Sequence, residues 1–252
     1  MTTLVGYEDK ISAFQKLARD GRLSHAYLFF GEAQTGKHAF ARLFAHFLEQ
    51  GTFAVSETPL IDVQWCAPAD GVIGIDAVRE LRIFLSQTPL RSPRRLAVVD
   101  DAHLLTTDAQ SAMLKIVEEP PPHSLIILIA HDPQVLFPPL LSRLTKVYFP
   151  PLSGAALREA LTREFRVPPA RAREVARRSF GRLGRALSLL EGKGSDEETL
   201  AAELEGRILS LWEKGAEAHW SALAYLLDCE MNVKRYNLNE NLQRKAIRSH
   251  IS

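Results

Sequence analysis

Residues 1–150 predict an α/β fold with a parallel five-stranded sheet. Short apolar runs alternate there with helical periodicity, a glycine-rich loop joins one run to the next helix, and another run ends in paired aspartates. Strands are expected at Ala26–Phe30, Val63–Trp65, Arg95–Val99, Leu125–Ala130 and Thr145–Phe149, as buried runs of the length a strand needs. Helices are expected between them, at Asp9–Arg19, Lys37–Glu49, Ile75–Gln87, Thr107–Glu118 and Pro138–Leu141.

From Pro150-Pro151 the strands stop. Residues 151–193 read as two or three short helices punctuated by Gly181, Gly184 and Gly192, and Gly192–Asp196 reads as a linker. Residues from about 197 to 252 are helical again, with Leu204, Ile208, Leu211 and Trp212, then Trp220, Leu223, Ala224 and Leu227, recurring every three to four positions. No internal repeat is visible.

Composition excludes several classes. The chain has 252 residues, two cysteines and a formal net charge of +1, so bulk electrostatics announces neither nucleic acid nor membrane. Cys66 and Cys229 lie far apart without CxxC spacing, and His25, His46, His103, His123 and His131 show no metal-ligand spacing. The amino terminus lacks a signal pattern and no apolar run approaches membrane length, so a cytoplasmic, soluble protein is expected.

The most informative stretch is Gly31-Glu-Ala-Gln-Thr-Gly-Lys-His38. Gly31, Gly36 and Lys37 keep the spacing of a phosphate-binding loop, between a strand and a helix as that motif requires. Glycines let backbone N–H groups turn onto a phosphate, the helix N-terminus adds positive potential, and Lys37 reaches the outer phosphates. The next position should carry a hydroxyl for Mg²⁺; here it is His38, and magnesium prefers hard oxygen donors. The loop therefore keeps the means to hold ATP or ADP but is poorly equipped for hydrolysis.

Asp100 and Asp101 end the strand Arg95–Val99, which puts carboxylates at the carboxyl edge of the sheet beside the loop. The first acid of such a pair holds the metal shell and the second, usually Glu, orients the attacking water. Asp101 is one methylene short for that task. The competing reading is that both aspartates cap the turn that follows. Ser142-Arg143 end a helical stretch just before a strand, which places the arginine at the edge of the domain; taken alone it would serve as a helix-terminal cation.

Together these segments resemble the clamp-loader branch of the AAA+ proteins, most closely the delta-prime subunits of bacterial DNA polymerase III. The resemblance runs through Leu4–Gly6, Gly21–Leu28, the phosphate loop, Ile75–Leu81, Val99–Leu104, Ala112–Pro121, Asp132–Leu136 and Ser142-Arg143. Leu144 stands where the family's Ser-Arg-Cys signature ends in cysteine. Looser matches are Ser179–Leu187 and Tyr236–Leu242. The resemblance implies a AAA+ P-loop domain (1–150), a helical lid (151–193) and a shortened helical collar for oligomerisation (194–252). Implied partners are clamp-loader subunits of the gamma/tau and delta types, the sliding clamp and, through the complex, primed DNA.

By the same resemblance Arg143 is an arginine finger given in trans to a neighbour's nucleotide, with Ser142 beside it. Gly31, Gly36, Lys37, His38, Asp100 and Asp101 then form a degenerate nucleotide site. Gly184 stands where ATPase-competent relatives carry a γ-phosphate-sensing arginine, and Arg185 next to it points about 100° away on a helix. No cofactor is required, and the interval Gly51–Gly71 offers only Cys66, so the four-cysteine zinc module of many relatives cannot form. Two readings stay open: a subunit without intrinsic ATPase activity, and an ATP-hydrolysing gamma/tau-like subunit. A stand-alone DNA-dependent ATPase is disfavoured because no DNA-reading module is recognisable. The arginines at 158, 163, 166, 171, 173, 177, 178, 182 and 185 are read as a solvated surface. Arg178, Arg182 and Arg185 would share one basic face only if a helix ran through Gly181 and Gly184.

Overall fold

A computed structural model describes residues 4–192 and 219–236 and, between them, positions 204, 207, 208, 210–212 and 215. Five strands, β1 (Ala26–Phe30), β2 (Val63–Cys66), β3 (Arg95–Val99), β4 (Ser124–Ala130) and β5 (Thr145–Tyr148), form one sheet in the order β2-β3-β4-β1-β5. Every neighbouring pair is parallel. The central strands β3 and β4 are buried along their whole length, as unbroken apolar runs must be when helices cover both faces.

Alternation along the strands splits the core in two. Tyr27, Phe29, Leu96, Val98, Leu125, Ile127 and Ile129 face α1 (Glu8–Arg19) and α2 (Lys37–Gln50), where Phe14, Phe40 and Phe44 pack edge to face. Their neighbours Ala26, Leu28, Ala97, Val99, Ile126, Leu128 and Ala130 face α3 (Ile75–Leu85), α4 (Thr107–Glu118) and α5 (Pro138–Arg143). The strand bounds fall within one residue of those expected. Two helices differ: α3 stops at Leu85, where Ser86 caps it by donating to the Arg82 carbonyl, and α5 runs on to Arg143.

By contacts the chain divides into two compact units, Met1–Gly184 and Arg185–Ser252. The first also holds α6 (Gly154–Arg163), α7 (Pro169–Arg178) and the start of α8 (Leu183–Leu190). A continuous helix through Gly181 does not exist. Phe180 and Gly181 adopt φ of 51° and 78°, which interrupts the helix between α7 and α8, so Arg178, Arg182 and Arg185 cannot line one helix face. Arg178 and Arg171 instead meet Glu174, and Arg182 is nearly buried, 3.9 Å from Glu32.

In the second unit, α9 (Trp220–Tyr236) buries Leu223, Leu226 and Cys229, and Leu226 and Cys229 cluster with Leu204, Ile208, Leu211 and Tyr225. Trp212, Trp220 and Leu227 are exposed, so the buried stripe runs along 223, 226 and 229 rather than through every apolar position. The linker residues 193–196 and the segment 237–242 lie outside the described residues. Among the described residues no helix is long and apolar enough to cross a membrane.

Candidate functional site

The loop between β1 and α2 is built tightly against β5. Gly31 has a φ of +136°, and a Cβ there would lie 2.4 Å from the Phe149 carbonyl oxygen, so only glycine fits. The Tyr7 hydroxyl lies 2.9 Å from the Thr35 carbonyl and 2.8 Å from the Pro150 carbonyl and shares its one proton between them, tying the loop to the chain after β5. Lys37 is folded back into the loop, its Nζ donating to the carbonyls of Gly31 and Glu32, both at 2.7 Å. Burial pushes the Lys37 ammonium down to about 8, against the opposing pull of Glu32, Asp100 and Asp101.

His38 and Asp100 are joined across the mouth of this loop. Nδ1 of His38 lies 2.6 Å from Oδ2 of Asp100, and the imidazole rests on the Trp65 ring at 4.9 Å between centroids. This hydrogen bond from His38 is the main reason the Asp100 carboxyl lies below its ordinary value, and it outweighs the burial that would raise it. Magnesium asks for an octahedron of oxygens at about 2.0–2.1 Å. Here the hydroxyl position is an imidazole, and one oxygen of the acid that should serve the metal is engaged by that imidazole. The residues do not fit the ion.

Asp101 stands at the N-cap of a 3-10 turn, Ala102–Leu104, with a left-handed φ of 50°. Its side chain makes no cap hydrogen bond; Asp100 Oδ1 accepts the Asp101 N–H instead, at 3.1 Å. His103 approaches Asp101 at 3.9 Å. Neither aspartate therefore caps the turn Ala102–Leu104 with its side chain; the backbone N–H that Asp100 bonds is that of its own neighbour.

The start of α8 closes on the same loop. The Gly184 N–H donates to the Gln34 carbonyl at 3.0 Å, and a Cβ at Gly184 would meet Gln34 Cβ at 3.0 Å and its oxygen at 3.1 Å. A longer side chain at this position has no room unless the loop gives way. Gly31, Gly36, Lys37, His38, Asp100 and Asp101 therefore come together at the carboxyl edge of the sheet.

Ser142 and Arg143 do not join them. Arg143 is the last residue of α5, two positions before β5 begins, and β5 starts at Thr145 beside Tyr27. In a parallel pair that is the amino edge. The four residue steps from Tyr27 to Gly31 span about 13 Å. Arg143 lies at the opposite end of the strands from its own loop. Its side chain is exposed to about 42%, with Nη2 2.6 Å from Glu118 Oε1 and Nη1 donating to the Pro139 carbonyl (2.9 Å) and Ser142 Oγ (3.3 Å).

Sequence reasoning assigned no site role to Glu118, Trp65 or Tyr7. Only Glu118 carried a signal: the prolines after Glu119 place it in the last turn of a helix, where an acid is electrostatically out of place.

A family model described as "DNA polymerase III, delta subunit" matches residues 6–153, more than half of the chain. The chain belongs to the DNA polymerase III delta-subunit family. That membership puts it in the clamp-loader branch of the AAA+ proteins, which its ordered motifs resemble. Its relatives include a DNA polymerase III subunit gamma/tau of Mycobacterium tuberculosis, 36% identical over 176 residues, covering 64% of this chain and 30% of that protein. The tau subunit of Escherichia coli is 29% identical over 89% of this chain and 39% of its own length. A delta' subunit of Pseudomonas aeruginosa is 30% identical over 69% of this chain and 58% of its own.

The chain thus spans about a third of the length of the gamma/tau relatives. Among solved structures, a gamma-subunit-related protein of Thermotoga maritima aligns with a TM-score of 0.50 at 21% identity, covering 87% of this chain and 78% of that one. The RuvB Holliday junction branch migration motor of the same organism aligns at 0.53 and 16%, covering 97% and 70%. These likenesses establish the α/β fold of the delta-subunit family member.

Proposed function

We propose that this chain is a delta-prime-type clamp-loader subunit of DNA polymerase III that does not turn over ATP and gives Arg143 to a neighbouring ATPase subunit. One observation carries the reading: the damaged loop and the exposed arginine stand at opposite edges of one sheet. The residue best suited to stabilise a transferring phosphoryl group cannot reach its own nucleotide site. A trans arginine of this kind is worth about 10³–10⁵ in rate at the site it completes.

On this reading the partners are gamma/tau-type and delta-type subunits, the sliding clamp and, through the complex, primed DNA in the cytoplasm. Residues 151–193 act as the lid, and the contact of Gly184 with Gln34 supports it. Residues 194–252 act as the collar, and the exposed Trp212, Trp220 and Leu227 supply apolar surface for assembly. Gly31, Gly36, Lys37, His38, Asp100 and Asp101 are the remnant of the nucleotide site, and Ser142 supports the finger through its hydrogen bond to Arg143. No bound cofactor is needed.

A second reading is favoured by the relatives: the gamma/tau proteins at 36% identity point to an ATP-hydrolysing subunit in which His38 and Asp101 are tolerated. Turnover by the isolated chain separates the two. The proposal expects no ATP hydrolysis above background; hydrolysis that Lys37→Ala abolishes would establish the gamma/tau-like alternative.

A further inference from the structure

Glu118 stands where local electrostatics argues against it. It is the last residue of α4, Glu119 follows as the C-cap, and Pro120-Pro121 end the helix. Carboxylates at a helix C-terminus oppose the macrodipole, so this one does not serve the stability of its own helix. A local rule broken without local gain points to a role elsewhere. Among the described residues, Glu118 pairs with Arg143, at 2.6 Å.

We propose that Glu118 is the positioning residue for Arg143, a role that rests on reading Arg143 as the trans finger. An arginine has many rotamers, and holding it in one geometry before the neighbour arrives removes an ordering cost from the reactive encounter. Three anchors fix this side chain. The Pro139 carbonyl and Ser142 Oγ take Nη1 from within α5, and Glu118 takes Nη2 from α4. The Ser142 hydroxyl is itself oriented by donating to the Pro139 carbonyl at 2.8 Å.

The guanidinium has five N–H donors, and these anchors use three of them. Two donors are left for phosphate oxygens on a half-exposed group. The anchored group also stays accessible. Glu118 is exposed to about 38% and Arg143 to about 42%, so the pair sits at the surface within reach of a partner. A multiply charged phosphate can therefore recruit the remaining donors without first breaking a buried pair. The arrangement presents the arginine rather than hiding it.

The test uses the loader reconstituted from this full chain and purified partner subunits, with clamp and primed DNA, and reads kcat and KM for ATP. Glu118→Ala, Glu118→Gln, Arg143→Ala and the double variant Glu118→Ala/Arg143→Ala are compared, each checked by thermal melting. Arg143→Ala is expected to lower kcat by on the order of tenfold or more. Glu118→Ala should lower kcat about threefold with KM and melting unchanged, Glu118→Gln should recover part of the loss, and the double variant should match Arg143→Ala.

Unchanged or raised kcat in Glu118→Ala would overturn the proposal while leaving the finger in place. A further loss on adding Glu118→Ala to Arg143→Ala would overturn it as well, because the carboxylate would then act through something else. If Arg143→Ala itself has no effect, the finger reading fails, and that outcome is distinguishable from the other two.

Discussion

At the scale of single residues, the account turns on Lys37, His38 and Asp100. Lys37 is buried with its ammonium bonded to two loop carbonyls, and its pKa falls from 10.5 to about 8. Because the folded value lies below the unfolded one, the unfolded chain binds the proton more tightly between these limits. Stability should therefore rise with pH from about 8 to 10.5, by an amount that belongs to this lysine. Urea unfolding across that window is expected to show the rise in the wild type and a flatter profile in Lys37→Met. Parallel profiles would mean that the burial cost is misassigned. The substitution of the metal hydroxyl by His38 was legible in the sequence because the loop motif fixes that position. Its partner was named but not its bond, since the two stand 62 positions apart and nothing in the spacing reports a 2.6 Å approach. Trp65 was hidden for the same reason: a strand residue shows its period, not the ring that rests on it.

Among the elements, strands were legible nearly to the residue, because each is an apolar run bounded by turn residues and buried on both faces. What escaped was the polar framing of the sheet edge. Asp62, just before β2, is fully buried and accepts N–H bonds from Leu90 (2.9 Å), Arg91 (2.6 Å) and Ser92 (2.8 Å), with Arg95 at 3.8 Å. Burial alone would raise its pKa, but those donors and Arg95 hold the carboxyl below its ordinary value. Asp62→Ala leaves the Leu90, Arg91 and Ser92 N–H groups without this acceptor and removes the carboxylate beside Arg95, which keeps its bonds to the Ile61 and Thr88 carbonyls, and should cost about 2–3 kcal/mol. Denaturant unfolding checks this; a loss under about 1 kcal/mol, typical of an exposed pair, would show that the loop 90–92 finds other acceptors. The basic face held open as the weaker alternative to a solvated surface for Arg178, Arg182 and Arg185 failed at the element scale too. It required a helix through Gly181, and the left-handed turn at Phe180-Gly181 is set by tertiary packing that periodicity cannot register.

For the whole molecule, the AAA+ fold was legible because several motifs occur in order over residues 1–152, and a match over 6–153 agrees with that reach. The opposition of the two sites was not. It follows from strand order: β5 pairs with β1 in parallel, so a residue preceding β5 must lie at the far edge from the loop that follows β1. Neither periodicity nor motif spacing encodes which strand lies beside which. The family assignment places the chain among the DNA polymerase III delta-subunit proteins; in the function proposed above, one subunit's surface completes another's chemistry. The division of labour proposed for this chain makes its own loop dispensable for catalysis and its outward arginine essential. The most direct measurement is ATP turnover by the reconstituted complex carrying either Lys37→Ala or Arg143→Ala in this subunit. Turnover should survive the first and fall sharply with the second; the reverse pattern would contradict the account.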